Sequence, residues 1–229
     1  MRGMGVKAIG KGLLSASLGL IAFGLLLFVP AGTLHYWQAW VFLAVFAAST
    51  WIPSVYLMRT NPAALDRRMR VGPLAETRPL QRIVITAIFI CFPALFVLSA
   101  VDHRLGWSTV PTGVCLLGDA LVAAGLSLAM WVVIQNGYAA ANVTVEAGQT
   151  LVSTGLYGLV RHPMYTGNVL LMAGVPLALG SYWGLALLLP GMALLIVRIF
   201  DEEQLLTHEL GGYREYTERV RYRLLPYVW

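Results

Sequence analysis

Residues 161–203 read RHPMYTGNVLLMAGVPLALGSYWGLALLLPGMALLIVRIFDEE, and this stretch decides the architecture. It holds two apolar runs, Met164 to Leu179 and Tyr182 to Val197, joined through Gly180-Ser181-Tyr182-Trp183-Gly184. A link this short predicts a tight helical hairpin whose outer ends return to one membrane face. Both of those ends are polar: Arg161-His162 enters the first run, and Arg198 and Asp201-Glu202-Glu203 follow the second. Ionisable groups and non-helical backbone persist near hydrocarbon where they line a cavity or a substrate path. The cluster therefore marks a site before any chemistry is assigned to it.

Outward from the hairpin the chain is equally apolar. Of its 229 residues 58% are hydrophobic and only 12% charged, and the mean hydropathy is +0.71. Soluble domains carry about 25% charged residues, so the composition predicts an all-α integral membrane protein and excludes a water-soluble enzyme or a nucleic-acid-binding module. Four further apolar segments run from Leu13 to Val29, Trp37 to Leu57, Ile83 to Val101 and Val110 to Val133. A spanning helix needs about 17 to 25 residues. These four are long enough, whereas the two runs of the hairpin, with Pro176 and Pro190, sit at the lower limit. About six transmembrane helices are expected: an N-terminal four-helix region over 1–133 and a core of loop, hairpin and tail over 134–229. Lys7 and Lys11 precede the first run as in a signal peptide, but no A-x-A cleavage pattern follows, so the first helix is expected to be retained.

Orientation follows from Lys and Arg. With the N-terminus inside, fifteen of the 16 cations fall on inner segments: Arg2, Lys7 and Lys11; Arg59, Arg67, Arg68, Arg70, Arg78 and Arg82; Arg161; and Arg198, Arg214, Arg219, Arg221 and Arg223. Only Arg104 is left outside. Both termini and the polar cluster are therefore expected to be cytoplasmic, on a multi-pass protein whose partners are the bilayer and a lipid-like small molecule, with no nucleic acid.

The inner loop from Met58 to Gln81 is rich in Arg and reads as a set of topology determinants and headgroup contacts. The polar segment Gln135 to Val160, with Gly137, Gly148, Gly155 and Gly158, is long for a loop in a compact domain, which points to function. The tail from Gln204 places Leu206, Leu210, Tyr213 and Val220 at helical spacing, broken by Gly211-Gly212. It predicts an interrupted amphipathic helix on the inner surface, with Tyr227 and Trp229 as interface anchors. Cys91 and Cys115 lie inside apolar runs and read as small buried hydrophobes. Asp119, mid-way along the fourth segment, reads as a structural hydrogen-bonding group to a neighbouring helix.

Chemistry concentrates at the hairpin mouth. Arg198 and Glu202 are four apart and share a helix face. Asp201, Glu202 and Glu203 crowd what reads as a helix C-terminus, where the dipole disfavours negative charge, so a cationic ligand is expected beside them. No His and Cys pattern suggests a metal, and no G-x-G-x-x-G follows a strand.

The ordered set Leu151-Val-Ser-Thr-Gly-Leu-Tyr157, Arg161-His-Pro-Met-Tyr-Thr-Gly167, Arg198, Glu202-Glu203, Tyr213, Tyr216 and Pro226 resembles the C-terminal half of the isoprenylcysteine carboxyl methyltransferases, in the wider group that includes membrane phospholipid methyltransferases. The resemblance covers Asn142 to Pro226, with one residue fewer than the usual spacing between Glu203 and Tyr213. It implies S-adenosyl-L-methionine as methyl donor, bound without a Rossmann domain in a cytoplasmic loop. By position, Gln149, Thr150, Leu151, Val152, Tyr157, His162, Pro163, Met164, Tyr165 and Glu202 would contact the donor. One further contact, upstream of Gln149 where this chain is shorter, falls on Glu146. Arg198 matches the residue that faces the acceptor. The donor is a sulfonium cation, which the field of Glu202 suits, and a guanidinium holds a carboxylate acceptor bidentately. Prenylcysteine-like carboxylates, phospholipid amines and small thiols all remain open as acceptors. A sterol-reductase-like NADPH enzyme is the competing enzyme class, disfavoured because Gln135 to Val160 contains no Lys or Arg for a 2′-phosphate. A transporter or haem-handling protein would call for inverted repeats or paired intramembrane His ligands, and His35, His103, His162 and His208 are scattered.

Overall fold

The computed structural model describes the backbone of residues 2–69, 72–139, 142–146 and 148–229, with side chains from Ser17 onward except Arg68 and Met69. Arg2, Lys7, Lys11, Arg68 and Arg70, which enter the topology argument, therefore lie outside the described side chains. All six apolar runs are helical. They form α1 (Arg2–Ala31), α2 (Trp37–Thr60), α4 (Pro79–Leu105), α5 (Thr112–Gln135), α6 (Pro163–Ala178) and α7 (Leu188–Glu209), the last entered through a 3-10 turn at Trp183–Leu187. Two short helices, α3 (Pro62–Met69) and α8 (Tyr213–Arg219), complete the chain, and no strand occurs among the described residues.

Local sequence sets the boundaries. Pro62, Pro79 and Pro163 each open a helix, where a missing N–H costs nothing. The Asn61 side chain accepts a hydrogen bond from Ala64 N at 3.1 Å and caps α3. Gly106, at φ 64°, closes α4 in the left-handed conformation.

Four helical stretches are long and apolar enough to cross a membrane: Trp37–Thr60, Pro79–Leu105, Thr112–Gln135 and Trp183–Glu209. The described apolar part of α1, Ser17–Ala31, is shorter, as is α6 with 16 residues. At its helical rise α6 is about 24 Å long, less than the ~30 Å of hydrocarbon. It is held instead by α5. A Cβ on Gly125 would come 2.6 Å from the Gly167 carbonyl oxygen, and one on Gly174 would come 2.9 Å from that of Gly118. Four glycines thus let the two backbones touch, the usual way membrane helices gain van der Waals contact where no hydrophobic drive acts between them. This seam crosses from the N-terminal region into the core, joining residues on either side of position 133.

The close pairing of α5 with α6 splays the expected hairpin, whose outer ends still meet through Arg161 and Glu203. The link between the last two runs is short, yet α6 lies along α5 and meets α7 only sparsely. An apolar cavity of about 430 Å³ opens among α4, α6 and α7. The far end of the bundle is knotted by Asp102, which is fully buried. Its carboxylate accepts from Ser108 N at 2.8 Å, from the Ser108 hydroxyl at 2.7 Å and from the Ser181 hydroxyl at 2.5 Å.

Three expectations are corrected. Helix α7 continues to Glu209, so Asp201, Glu202 and Glu203 lie inside it and the dipole argument does not apply to them. Asp119 is buried, but neither carboxylate oxygen finds a hydrogen-bond partner among the described residues, so it is not the interhelical tether expected. Trp229 does not reach outward as an anchor: its ring meets Phe200 and the Arg223 guanidinium, 5.4 Å from the ring centre. Tyr227 does stay exposed. The tail itself breaks at the expected place, at Gly212 with φ 79°, and α8 follows.

Candidate active site

The acidic run is answered residue by residue. Arg78 forks Asp201, with Nε to Oδ2 at 2.8 Å and Nη2 to Oδ1 at 2.5 Å. Glu203 accepts from Arg161 Nε at 2.7 Å and Arg223 Nε at 2.9 Å, and faces His162 Nε2 at 3.2 Å. Glu202 accepts the Tyr165 hydroxyl at 2.5 Å and turns into a cleft. Two of the three carboxylates are thus spoken for by arginines, and the expected attraction for a cation narrows to Glu202.

The Arg161-His162 motif is locked from above by the tail. Arg161 N donates to Tyr222 O at 2.8 Å, His162 N to Arg223 O at 2.9 Å, and the Thr166 hydroxyl to Leu224 O at 2.7 Å. The Arg161 guanidinium also donates to Val220 O at 3.2 Å. Arg161 and His162 are buried by this strap, so their side chains serve to join tail, α6 and α7 around the cleft.

The cleft is walled by residues 136–139, 142–144 and 149–152, the 3-10 turn at Gly155–Gly158, the start of α6, the middle of α7 and α8. Gln149, Thr150, Leu151, Val152, Tyr157, His162, Pro163, Met164, Tyr165 and Glu202 all line it. Glu146 does not: it is exposed and paired with Arg67 Nε at 2.8 Å. Tyr157 accepts from Asn136 Nδ2 at 3.1 Å, and its carbonyl accepts the Tyr216 hydroxyl at 2.7 Å. Burial pushes the Tyr157 phenol up to about 12 and raises those of Tyr213 and Tyr216 as well. At neutral pH the cleft therefore presents neutral aromatic walls around one carboxylate.

Arg198 stands apart from these residues, on the apolar cavity, whose wall includes Ile85, Phe89, Phe92, Met172 and Leu194. Phe89 and Phe92 are exposed on the outer surface of the bundle. Arg198 Nε donates to the Tyr165 hydroxyl at 3.0 Å, and Nη1 donates to Glu76 Oε1 at 3.0 Å and Gln81 Oε1 at 2.9 Å. Tyr165 borders both the cleft and the cavity. Its hydroxyl connects Glu202 on one side to Arg198 on the other. The i,i+4 pair of the sequence is thus bridged through a phenol contributed by α6.

The segment before α4, with the helix's first turn, does more than the topology and headgroup role expected of its arginines. Arg78 and Gln81 hold α7, Arg82 Nη2 donates to Glu76 O at 3.1 Å, and Glu76 is buried against Arg198. The available signal is a lone glutamate between Pro73 and Pro79 in an otherwise basic stretch. The remaining unanticipated walls, from Asn136 to Thr144, belong to the loop whose only sequence signal is its length.

Comparison with known proteins follows the same geography. Residues 114–212 match the phospholipid methyltransferase family, PEMT. The motif resemblance and this match overlap and point to one wider group of membrane methyltransferases. The chain is 38% identical over 94 residues to Delta(14)-sterol reductase TM7SF2 of Mus musculus, covering 38% of this chain and 22% of that protein. It thus spans about a fifth of the curated relative it matches. Among solved structures, the eukaryotic intramembrane Ras methyltransferase ICMT (isoprenylcysteine carboxyl methyltransferase) aligns over 96% of this chain and 86% of its own, with 15% identity and a TM-score of 0.49.

Proposed function

We propose that this membrane protein transfers a methyl group from S-adenosyl-L-methionine, held in the cleft, to the polar end of an amphiphile lodged in the apolar cavity. The observation that carries this is the shared wall: Tyr165 separates the two spaces, with Glu202 on the cleft side and Arg198 on the cavity side. The residues suit the donor. When bound, it supplies an electrophilic methyl on a cationic sulfonium, and the cleft offers the Glu202 carboxylate, the neutral phenols of Tyr157, Tyr213 and Tyr216, and apolar leucines at Leu151, Leu205 and Leu206. The cleft encloses about 100 Å³, below the roughly 300 Å³ of small-molecule sites. Admitting a nucleotide-sized molecule therefore calls for outward movement of wall residues such as those of 142–144 and 149–152.

No protein nucleophile or base is needed for a carboxylate acceptor; the work left to the chain is positioning and exclusion of water. Arg198 orients the acceptor, Glu202 sets the field for the donor, and the Tyr165 hydroxyl holds both in register. A carboxylate of the prenylcysteine type fits a guanidinium best. A phospholipid amine or a small thiol is the alternative and would require a proton acceptor.

The sterol-reductase likeness supports a second reading, an NADPH enzyme. The cleft wall disfavours it. Among the described residues its one arginine, Arg161, is engaged by Glu203 and by main-chain carbonyls, which leaves no cation there ready for a 2′-phosphate. The test is purified protein in detergent, titrated with donor and with NADPH and then incubated with radiolabelled donor, total membrane lipid and a prenylcysteine analogue. Donor binding and a labelled lipid product are expected. Binding of NADPH alone overturns the assignment.

A further inference from the structure

We propose that Glu76 is a positioning residue that fixes the Arg198 guanidinium at the edge of the apolar cavity and ties it to the wall of the cleft; this rests on the two-compartment reading above. Glu76 comes from the basic segment before α4 and its side chain is 1% exposed. Its two oxygens face opposite ways. Oε1 accepts from Arg198 Nη1 at 3.0 Å, and Oε2 accepts from Val143 N at 3.1 Å. Val143 lines the cleft and Arg198 lines the cavity. A single carboxylate therefore touches one wall of each compartment.

The surroundings brace it. Asn142 Nδ2 donates to Ala75 O at 3.2 Å, Arg82 holds the Glu76 carbonyl, and Gln81 accepts from Arg198 while donating to Asp201 Oδ2 at 2.7 Å. Arg78 clamps Asp201 from the exposed side. Residues 75–82 thus form a saddle between the 142–146 loop and α7. Buried ion pairs are poor sources of net stability against apolar packing, and their best-attested use is to fix geometry. A carboxylate also does here what no neutral isostere can. Glutamine offers one acceptor oxygen and an NH₂ group, so it can satisfy either Arg198 or the Val143 N–H, and it presents a donor to the other. A shift of Val143 on donor entry would reach Arg198 through this one side chain.

The test uses the full chain in lipid nanodiscs with radiolabelled S-adenosyl-L-methionine, a total membrane lipid extract and a prenylcysteine analogue. Glu76→Gln should lower kcat for labelled product by about 30-fold, as expected for a group acting at the transition state rather than in uniform binding. Affinity for S-adenosylhomocysteine should stay within about threefold, since one of the two hydrogen bonds survives. Glu76→Asp, which keeps the charge, should recover part of the rate. In combination with Arg198→Lys, Glu76→Gln should cost nothing further, because the two act as one unit. A full multiplicative loss in the double variant, or parallel loss of donor affinity and turnover, would overturn the proposal. So would a Glu76→Gln protein as active as wild type. If Glu76→Gln fails to fold, Glu76→Asp takes its place in the same cycle: non-additivity with Arg198→Lys supports the proposal, and a multiplicative loss overturns it. A wild type that neither binds donor nor labels lipid would instead overturn the methyltransferase reading itself.

Discussion

At the level of single residues, Tyr165 joins the cleft to the cavity. Its hydroxyl donates to Glu202 and accepts from Arg198, so side chains of the two compartments share one phenol. Tyr165→Phe removes both bonds while keeping the wall, and should lower turnover with little effect on thermal stability of the purified protein. Glu202→Gln should weaken calorimetric binding of S-adenosyl-L-methionine by roughly 10- to 100-fold, the worth of an interaction with a charged group at ~1.5–3 kcal/mol. Arg198→Ala should abolish turnover yet leave donor affinity within a few-fold, and Arg198→Lys should recover little with a carboxylate acceptor. Near-normal Arg198→Lys activity would select the amine or thiol acceptors. The tyrosines add a pH dependence. The Tyr157 phenol is raised to about 12, so its contribution to stability is complete below the unfolded value near 10 and is lost as pH climbs through 12. Alkaline unfolding followed by circular dichroism should fall across that window, and Tyr157→Phe should flatten the fall.

Among the elements, the α5–α6 seam bears the site. The first turn of α6 carries Pro163 to Tyr165, with His162 just before it, and contact with α5, the strap of the tail and hydrogen bonds to α7 fix that turn in space. Gly174 lies against Gly118 O and the Leu121 side chain, so Gly174→Leu has no room to enter. A cost of about 3 kcal/mol or more is expected from overpacking against backbone, read as a large drop in the thermal midpoint in detergent. Gly19→Ala meets nothing within 4 Å and should hold that midpoint or raise it slightly. Motion belongs to another element. Because the cleft is narrower than a nucleotide, amide exchange in the 142–152 segment should be fast in the free protein and slow once S-adenosylhomocysteine is added. Equal exchange in both states would place the donor elsewhere.

For the whole molecule, the membrane orders the parts. The apolar cavity lies beside helices that face lipid, and the cleft lies where the polar loops and the tail gather, so donor and acceptor would arrive from different phases. Asymmetry of Lys and Arg predicts that this gathering is on the cytoplasmic side. A cysteine-free variant carrying one new cysteine at the exposed Tyr227 should react with an impermeant maleimide in inverted vesicles and resist it in intact cells. The opposite pattern would invert the protein and put the cleft outside.

How much of this is legible in the amino-acid order differs by kind of interaction. Apolar runs and proline starts are local properties of the chain, so all six apolar helices and the break at Gly211-Gly212 can be read directly. The 161–167 motif and Glu202 are legible too, because a polar cluster beside hydrocarbon stands out against its neighbours. Pairing between distant segments is not local. Nothing in the residues flanking Asp201 says that Arg78 will meet it, or that Glu76, 122 residues before Arg198, will be buried against its guanidinium. The helix dipole misleads at the acidic run because hydropathy ends a span where apolar residues end, whereas backbone hydrogen bonding carries α7 on to Glu209. Composition determined that the chain lives in a bilayer, and residue order where its polar cluster gathers. Only tertiary packing decided which charges cancel, which carboxylate faces the cleft, and that a tyrosine stands between two chambers, because those outcomes depend on distances that the order of residues does not contain.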